Sequence, residues 1–288
     1  MKKKWVKKTG KIVGYSLLVL ILIFSFLLYR FTRTKSDQEV LDTFKEEAFQ
    51  PTINYFNFKN KKIRVIQMQK ELDTSLPNLI FIHGSPGSGL DFKRYLSDTL
   101  LNAKANLITY DRIGYGMDSK VEVLNSIDQE IEVLHQLLRG FSEVNTILIG
   151  YSYGGTIATA SPKNYKSKLL LAPAIKGELE PMYWILNLYK WKLTRPLVPN
   201  VFKYAAQEKI KHLTELIEFE NKWTISLSHV TSIHGNLDKI VPYKNSLFLK
   251  KIFDKSRFEL IPIEKGSHAL IWTDFELIKN KIITLIEN

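Results

Sequence analysis

The sequence contains no cysteine among its 288 residues. A disulfide framework and an anchor built on a lipid-modified cysteine are therefore both excluded. The length is sufficient for one large α/β domain with an appendage, so a second independent domain is not required.

Acidic residues are absent from the first 35 positions, which carry nine lysines and arginines. The remaining residues, 36–288, hold 32 basic and 29 acidic side chains, which leaves a net charge of only +3. Most of the formal charge of +12 therefore belongs to the N-terminus. No compact run of Lys and Arg interleaved with aromatic residues occurs elsewhere, so a nucleic-acid partner is excluded.

Residues 12–29 form an uncharged run of 18 residues dominated by Leu, Ile, Val and Phe. This length spans the hydrocarbon of a bilayer as a helix. Six lysines precede the run, so its N-terminal side is expected to remain in the cytoplasm. We predict a single-pass protein of the cell membrane, with its folded domain on the outer side, periplasmic or extracellular. The predicted segments are a basic cytoplasmic tail at 1–11, a transmembrane helix at 12–31, a polar tether at 32–52 and a folded domain at 53–288.

A cleaved signal peptide is the alternative to this anchor. Its apolar core would normally be shorter and would end at a site of small residues, which residues 24–30 do not offer. The sequence favours an uncleaved anchor and leaves cleavage itself open.

Eight short apolar runs follow the N-terminal segment. The first two resemble an opening hairpin. The other six are the continuous apolar runs expected of parallel strands that helices cover on both faces. The runs lie at residues 53–58, 63–68, 78–82, 106–110, 146–149, 168–171, 230–233 and 258–261. With helices between them, they predict an α/β fold with a mostly parallel sheet.

Two capping boxes predict helices that cover this sheet, one over about 126–139 and one from Thr273 to the end of the chain. Each has an apolar face expected to be buried: Ile127, Ile131, Leu134 and Leu138 in the first, and Phe275, Ile278, Ile282 and Leu285 in the second.

More than fifty residues separate the sixth and seventh runs, whereas one crossover helix needs far fewer. We predict a helical cap at about 174–225, with helices at 182–191 and 202–216. Aromatic residues at helical spacing more often serve packing than recognition. We nevertheless expect one or two aromatic side chains of the cap to line an apolar substrate pocket, the candidates being Tyr183, Trp184 and Trp191.

A G-x-S-x-G motif at residues 150–154 follows the fifth run and precedes a helix start of small residues. In this context the serine, here Ser152, occupies a sharp, strained turn between strand and helix with its hydroxyl above the sheet. The alternative is a coincidental glycine cluster in a loop. Candidate acid, base and oxyanion residues elsewhere in the chain are needed to distinguish the two interpretations.

A serine nucleophile needs a histidine to take its proton and a carboxylate to orient that histidine. Asp238 and His268 follow the last two predicted strands, and parallel strands present their carboxyl ends at one edge of the sheet. Taken alone, Asp238 could be a helix N-terminal carboxylate and His268 a solvated loop histidine. The ordered set of Ser152, Asp238 and His268 is much more specific than any one member.

An oxyanion hole requires backbone N–H groups, one of them from the residue after the nucleophile, here Tyr153. Ser85 is the second candidate, because it lies in a glycine-rich loop after the third run and its neighbour Pro86 has no N–H. A phosphate-binding loop is the alternative for this glycine cluster, but no Gly-Lys-Ser/Thr follows these glycines. His83 in the same loop is expected to be structural.

Together, the motifs at 83–87, 111–116 and 150–154, with Asp238 and His268, resemble the α/β-hydrolase superfamily over roughly residues 53–288. The resemblance implies an eight-stranded sheet with a cap inserted after the sixth strand. It also implies that Ser152 is the nucleophile, Asp238 the orienting acid and His268 the base, with Ser85 and Tyr153 as oxyanion donors. The loop motif at residues 111–112 is usually structural in this superfamily.

The sequence therefore predicts a membrane-anchored serine hydrolase, of carboxylesterase or lipase type, that cleaves an apolar acyl substrate through an acyl-enzyme. Aminopeptidase, thioesterase and C–C hydrolase activities on the same triad remain alternatives, as does a catalytically silent envelope binding module. An intact triad weighs against the silent module. The sequence gives no sign of a metal or cofactor and leaves the oligomeric state open.

Overall fold

A computed structural model describes residues 2–117 and 122–288, with side chains from residue 9 onward. Its strands are β1 (Thr52–Phe58), β2 (Lys61–Gln67), β3 (Asn78–Ile82), β4 (Asn106–Tyr110), β5 (Thr146–Tyr151), β6 (Ser167–Leu171), β7 (His229–Gly235) and β8 (Phe258–Ile263). They form one sheet in the order β1-β2-β4-β3-β5-β6-β7-β8. The pairs β1–β2 and β2–β4 are antiparallel, and all other neighbours are parallel. The predicted eight-stranded, mostly parallel sheet is confirmed.

Helices cover both faces of the sheet. The helices of the described residues are α1 (Lys2–Thr32), α2 (Asp37–Thr43), α3 (Lys93–Leu96), α4 (Thr99–Lys104), α5 (Ile127–Leu137), α6 (Tyr153–Ala160), α7 (Asn200–Phe219), α8 (Lys244–Ile252), α9 (Leu270–Thr273) and α10 (Phe275–Glu287). Short 3₁₀ segments lie at Gly89–Phe92, Glu143–Asn145, Gly177–Leu179, Trp184–Lys190 and Arg195–Leu197.

Two apolar layers hold the helices to the sheet. Successive side chains of a strand point to opposite faces, and β3 shows the consequence. Ile80 and Ile82 pack in the layer that contains α5 and α6. Leu79 and Phe81 pack in the layer that contains α3 and α10. Strands buried on both faces therefore carry no alternation of apolar and polar residues.

The covering helices begin close to the predicted positions. Ser126 accepts a hydrogen bond from the Gln129 amide at 3.4 Å and so caps α5 as expected. The second predicted capping box is wrong, because Thr273 belongs to α9 and its hydroxyl donates to the Asp274 carboxylate at 2.6 Å. The predicted buried face of α10 is confirmed.

The region between β6 and β7 holds three of the 3₁₀ segments and the long helix α7. The predicted helix at 202–216 lies within α7. The predicted helix at 182–191 is instead a 3₁₀ segment, Trp184–Lys190. This segment lies between Pro181 and Pro196 and is rich in aromatic residues, and both features disfavour a regular α-helix.

At the N-terminus, α1 includes a candidate membrane span, Thr9–Thr32, of 24 residues, within which an 18-residue window has a mean hydropathy of 2.5. It is long and apolar enough to cross a membrane, and a signal sequence would pass the same criteria. Five of the six lysines of the predicted basic tail lie at residues 2–8, whose side chains are outside the described part of the chain.

The segment expected to be a tether, 32–52, packs on the folded domain. Val40 in α2 and Phe44 just after it are fully buried in the same layer as Ile66 of β2. Because these two residues are four positions apart, they lie on one helix face and can enter the core together. The prediction of a polar tether at 32–52 did not include this contact.

Candidate active site

Ser152 lies at a sharp turn between β5 and α6. Its backbone has φ 54° and ψ −119°, a conformation that few non-glycine residues adopt. A Cβ atom on Gly150 would lie 2.3 Å from the Gly154 carbonyl oxygen, and one on Gly154 would lie 2.0 Å from the Ile82 carbonyl oxygen. Only glycine at both positions lets α6 start this close to the strands, which leaves the Ser152 hydroxyl above the carboxyl edge of the sheet.

The structure brings the three predicted triad residues together at this edge. His268 Nε2 lies 3.1 Å from Ser152 Oγ, and His268 Nδ1 lies 2.7 Å from Asp238 Oδ2. Asp238 and His268 come from the loops after β7 and β8. The Tyr151 hydroxyl donates to the His268 carbonyl oxygen at 2.9 Å, which holds the histidine loop against β5. The arrangement allows His268 to remove the Ser152 proton while Asp238 fixes the imidazole tautomer.

Asp238 lies in an environment that favours its ionised form. Burial alone would raise the pKa of its carboxyl, but hydrogen bonds from His234, His268 and the Val241 amide outweigh burial and hold the pKa below its usual range. The carboxylate therefore remains negatively charged at neutral pH, where it can stabilise a positively charged His268.

His234 is a partner of Asp238 that the sequence analysis missed. Its Nε2 lies 3.3 Å from Asp238 Oδ2 and 2.9 Å from the Val241 carbonyl oxygen, and its Nδ1 lies 2.6 Å from Ser246 Oγ. The carbonyl can only accept, so Nε2 carries the proton. The available signal was its position at the end of β7, four residues before Asp238.

The two predicted oxyanion residues, Ser85 and Tyr153, line the same cavity as Ser152. Tyr153 is the first residue of α6, where backbone N–H groups lack an acceptor within the helix and the helix dipole favours negative charge. The loop that carries Ser85 runs alongside the serine, since a Cβ on Gly84 would lie 2.9 Å from Ser152 Cβ.

A buried network around Arg112 supports the Ser85 loop. The Arg112 amide donates to His83 Nε2 at 2.9 Å, and its Nη1 donates to the Gly84 carbonyl oxygen at 3.1 Å. Its guanidinium also pairs with Glu130 and with Glu208 of α7. Burial, with a further contribution from the nearby Arg112 charge, lowers the pKa of His83 to about 3. A neutral His83 accepting a backbone hydrogen bond fits the structural role expected of it.

Asp111 holds the other end of the same loop. Its Oδ1 accepts a hydrogen bond from the Gly89 amide at 2.9 Å, and its Oδ2 pairs with the buried Arg64 guanidinium at 2.7 Å. Neighbouring residues of one motif, Asp111 and Arg112, thus hold the loop between Gly84 and Gly89 at both ends.

A cavity of about 600 Å³ extends from Ser152 under the region between β6 and β7, and its lining is almost wholly apolar. Tyr183 lines it as predicted, with its hydroxyl donating to the Lys239 carbonyl oxygen at 2.7 Å. The prediction is corrected for Trp184 and Trp191, which do not line the cavity and are 71% and 53% exposed. Trp184 is the first residue of the 3₁₀ segment and Trp191 follows its last, so the α-helical spacing behind the prediction does not hold for either residue.

Two further parts of the cavity wall were not predicted. His212 of α7 lines the cavity and packs on the Tyr153 ring with centroids 4.2 Å apart. The apolar helix α1 contributes Ile21, Phe24, Ser25 and Leu28. The contribution of α1 could not be predicted from residue spacing, because Ser152 and the segment between β6 and β7 lie more than a hundred residues further along the chain.

Within residues 2–117 and 122–288, no group of three or more His, Cys, Asp or Glu side chains is placed to hold a metal ion.

Comparisons with known proteins agree with this fold. The model of the alpha/beta hydrolase family matches residues 79–245, more than half of the chain. No curated protein matches the sequence. Similar solved structures include a membrane phospholipase A described as a bacterial virulence factor, with 13% identity, a TM-score of 0.59 and coverage of 99% of this chain and 98% of that chain.

Two other similar structures have different activities. A 2-hydroxy-6-oxo-6-phenylhexa-2,4-dienoate hydrolase from Rhodococcus is 16% identical, with a TM-score of 0.62 and coverage of 84% of this chain and all of that chain. A bromoperoxidase from Bacillus anthracis is 17% identical, with a TM-score of 0.61 and coverage of 82% of this chain and all of that chain. Identities this low show a shared fold and leave the reaction to be argued from the site. On its family match and its sheet topology, the chain belongs to the alpha/beta hydrolase family.

Proposed function

We propose that the protein is a membrane-anchored serine hydrolase that cleaves a carboxylic ester through an acyl-enzyme intermediate. The observation that carries the proposal is the continuous chain of contacts from Ser152 Oγ to His268 Nε2 and from His268 Nδ1 to Asp238. A catalytically silent scaffold has no chemical need for this chain, and the strained turn at Ser152 serves to present its hydroxyl.

In the proposed reaction, Ser152 Oγ attacks the ester carbonyl carbon while His268 takes the hydroxyl proton. The amides of Ser85 and Tyr153 donate to the oxyanion of the tetrahedral intermediate. His268 then gives its proton to the alcohol oxygen as the ester bond breaks. A water molecule, deprotonated by His268, attacks the acyl-enzyme, and the carboxylic acid leaves as Ser152 regains its proton.

The proposed anchor is α1, with the lysine-rich end in the cytoplasm and the catalytic domain on the outer side of the membrane. It rests on the length and hydropathy of the stretch Thr9–Thr32 and on the charge asymmetry around it. Protease added to cells without their outer layer should degrade the catalytic domain. Full protection of residues 31–288 would contradict this orientation.

The serine assignment is tested with a fluorophosphonate probe, which reacts covalently with activated serines. We expect labelling of the wild-type protein, no labelling of Ser152→Ala, and a loss of at least about 1000-fold in ester hydrolysis. Ser256→Ala, in an exposed turn, is the matched control and should behave as wild type. Persistent labelling of Ser152→Ala would show that another residue is the nucleophile.

A further inference from the structure

The apolar helix α1 forms one wall of the cavity that contains Ser152. Its contributing side chains, Ile21, Phe24, Ser25 and Leu28, recur at the spacing that puts residues on one helix face. The Ser25 hydroxyl donates to the Leu197 carbonyl oxygen at 2.8 Å, which fixes this face against the segment between β6 and β7. An apolar helix that serves only as an anchor has no need of such a contact.

The depth of this cavity wall within the proposed bilayer follows from helix geometry. Arg30 is the first charged residue after the uncharged run 12–29 and marks the outer end of that run. At 1.5 Å per residue, Leu28 and Ile21 lie about 3 Å and about 14 Å from Arg30 along the helix axis. One leaflet of a bilayer contributes about 15 Å of hydrocarbon. In the proposed orientation, the cavity wall therefore lies within the outer leaflet.

The protein surface beside this wall is suited to lipid. Trp184, Ile185, Trp191 and Leu193 are all largely exposed, and Leu193 reaches 87%. Lys190, Lys192 and Arg195 lie between and beside them in the sequence. Exposed aromatic and apolar side chains next to basic ones are typical of surfaces that enter the headgroup region of an anionic membrane. The same segment holds Leu197, which contacts α1, so the apolar surface and the cavity wall adjoin.

The wall residues also remain open to their surroundings. Ile21 and Phe24 line the cavity, and yet 40% and 66% of their surfaces are exposed. In the proposed orientation, the medium around these exposed surfaces is the hydrocarbon of the outer leaflet.

We propose that the cavity opens sideways into the outer leaflet and that the substrate of Ser152 is the ester of a long-chain bilayer lipid. This inference rests on the proposed function and names its substrate class. The acyl chain lies against Ile21, Phe24 and Leu28, while the ester carbonyl reaches Ser152. Hydrolysis transfers the acyl group to Ser152 Oγ and releases the lipid alcohol, and water then releases the fatty acid.

The first test compares two neighbouring leucines of α1 in the full-length protein, reconstituted in vesicles of phosphatidylethanolamine and phosphatidylglycerol. Leu28 lines the cavity, whereas Leu27 is exposed and does not. The measured quantity is the ratio of kcat/KM for p-nitrophenyl palmitate to that for p-nitrophenyl butyrate. Because an indole at position 28 occupies the space of the chain, Leu28→Trp should lower this ratio at least about tenfold, while Leu27→Trp should leave it within about twofold of wild type. An unchanged ratio in Leu28→Trp, or an equal fall in Leu27→Trp, would overturn the inference.

A second measurement does not depend on the folding of a bulky variant. Since the protein has no cysteine, Leu28→Cys and Leu27→Cys each introduce one thiol for maleimide labelling in the same vesicles. Prior reaction of Ser152 with a long-chain alkylphosphonate should protect the thiol at position 28 and leave that at position 27 reactive. A methylphosphonate should protect neither.

The outcomes separate the two proposals. Reaction of Ser152 with both phosphonates but no selective protection at position 28 would overturn the acyl-chain path and leave the serine hydrolase proposal standing. Failure of both phosphonates to react with Ser152 would overturn both proposals.

Discussion

Two regions of the molecule are held in place in different ways. The first is the triad edge, the carboxyl edge of the sheet with Ser152, Asp238 and His268. The second is the cavity wall, formed by α1 and the segment between β6 and β7. At the triad edge, the single carboxylate of Asp238 is contacted by two histidines and by the amides of Ile240 and Val241. Between α1 and the segment above the cavity, the described contacts are a hydrogen bond from Ser25 to Leu197 and the packing of apolar side chains. Directional contacts fix reacting atoms to fractions of an ångström, whereas apolar contacts fix only shape and volume. Separate parts of the molecule thus support the proposed ester hydrolysis and the proposed selection of its substrate.

These two parts meet at a buried ion pair. Arg112 belongs to the loop network beneath Ser85, and Glu208 belongs to α7 above the cavity. Tyr115 also donates to Glu208 at 2.8 Å, and its hydroxyl lies 2.7 Å from Ser85 Oγ. One carboxylate of α7 is therefore connected to the loop that is proposed to bind the oxyanion.

The largest effect is expected at the triad edge. Asp238→Asn should lower kcat for ester hydrolysis about 10,000-fold near neutral pH, because an amide no longer holds His268 in the tautomer that accepts the serine proton. Asp254→Asn, in an exposed turn, serves as the control and should retain wild-type kcat. A loss of less than about tenfold in Asp238→Asn would mean that another group orients the base.

An intermediate effect is expected where the two parts meet. Glu208→Gln should lower the free energy of unfolding by about 3 kcal/mol, because Arg112 then loses one of its two buried counter-charges. Chemical denaturation in detergent measures the change. Glu218→Gln, at an exposed position of the same helix, should alter the free energy by less than about 0.5 kcal/mol. Equal stability of the two variants would show that the ion pair does not join α7 to the loop.

The smallest effect is expected on the outer surface above the cavity. Leu193→Cys and Val144→Cys each place one thiol at a strongly exposed position. Leu193 lies in the segment above the cavity, and Val144 lies in the 3₁₀ segment just before β5, away from the carboxyl edge of the sheet. With an environment-sensitive fluorophore attached, the protein in vesicles should emit at shorter wavelength from position 193 than from position 144. Ester hydrolysis should be unchanged in both. Identical emission would remove the evidence for lipid around this surface.

The sequence predicted the sheet and the triad because both depend on order along the chain. Each strand is buried on both faces and so stands out as an apolar run, and parallel strands bring the loops after β5, β7 and β8 to one edge. Ser152, Asp238 and His268 could therefore be placed together without knowledge of any side-chain contact. Their catalytic roles stay predictions until the variants are measured.

Contacts between distant segments could not be predicted in this way. The exposure of Trp184 and Trp191 was missed because the sequence of residues 182–191 resembles an α-helix, whereas the structure has a 3₁₀ segment there. The support of Asp238 by His234 depends on a side-chain rotamer at the end of β7. The contribution of α1 to the cavity depends on a surface formed by residues far along the chain. A membrane span would by itself account for the apolar composition of α1, so that composition gave no sign of a second role.

The hydrogen bond from Ser25 to Leu197 bears on how the protein is handled in the laboratory. A water-soluble fragment that begins after residue 31 would keep the triad but lose one side of the cavity, and the Leu197 carbonyl would face solvent. Such a fragment should accept short esters readily and rank chain lengths differently from the full-length protein. Substrate screens on a truncated sample would then describe the fragment, so the choice of expression boundary decides which specificity is measured.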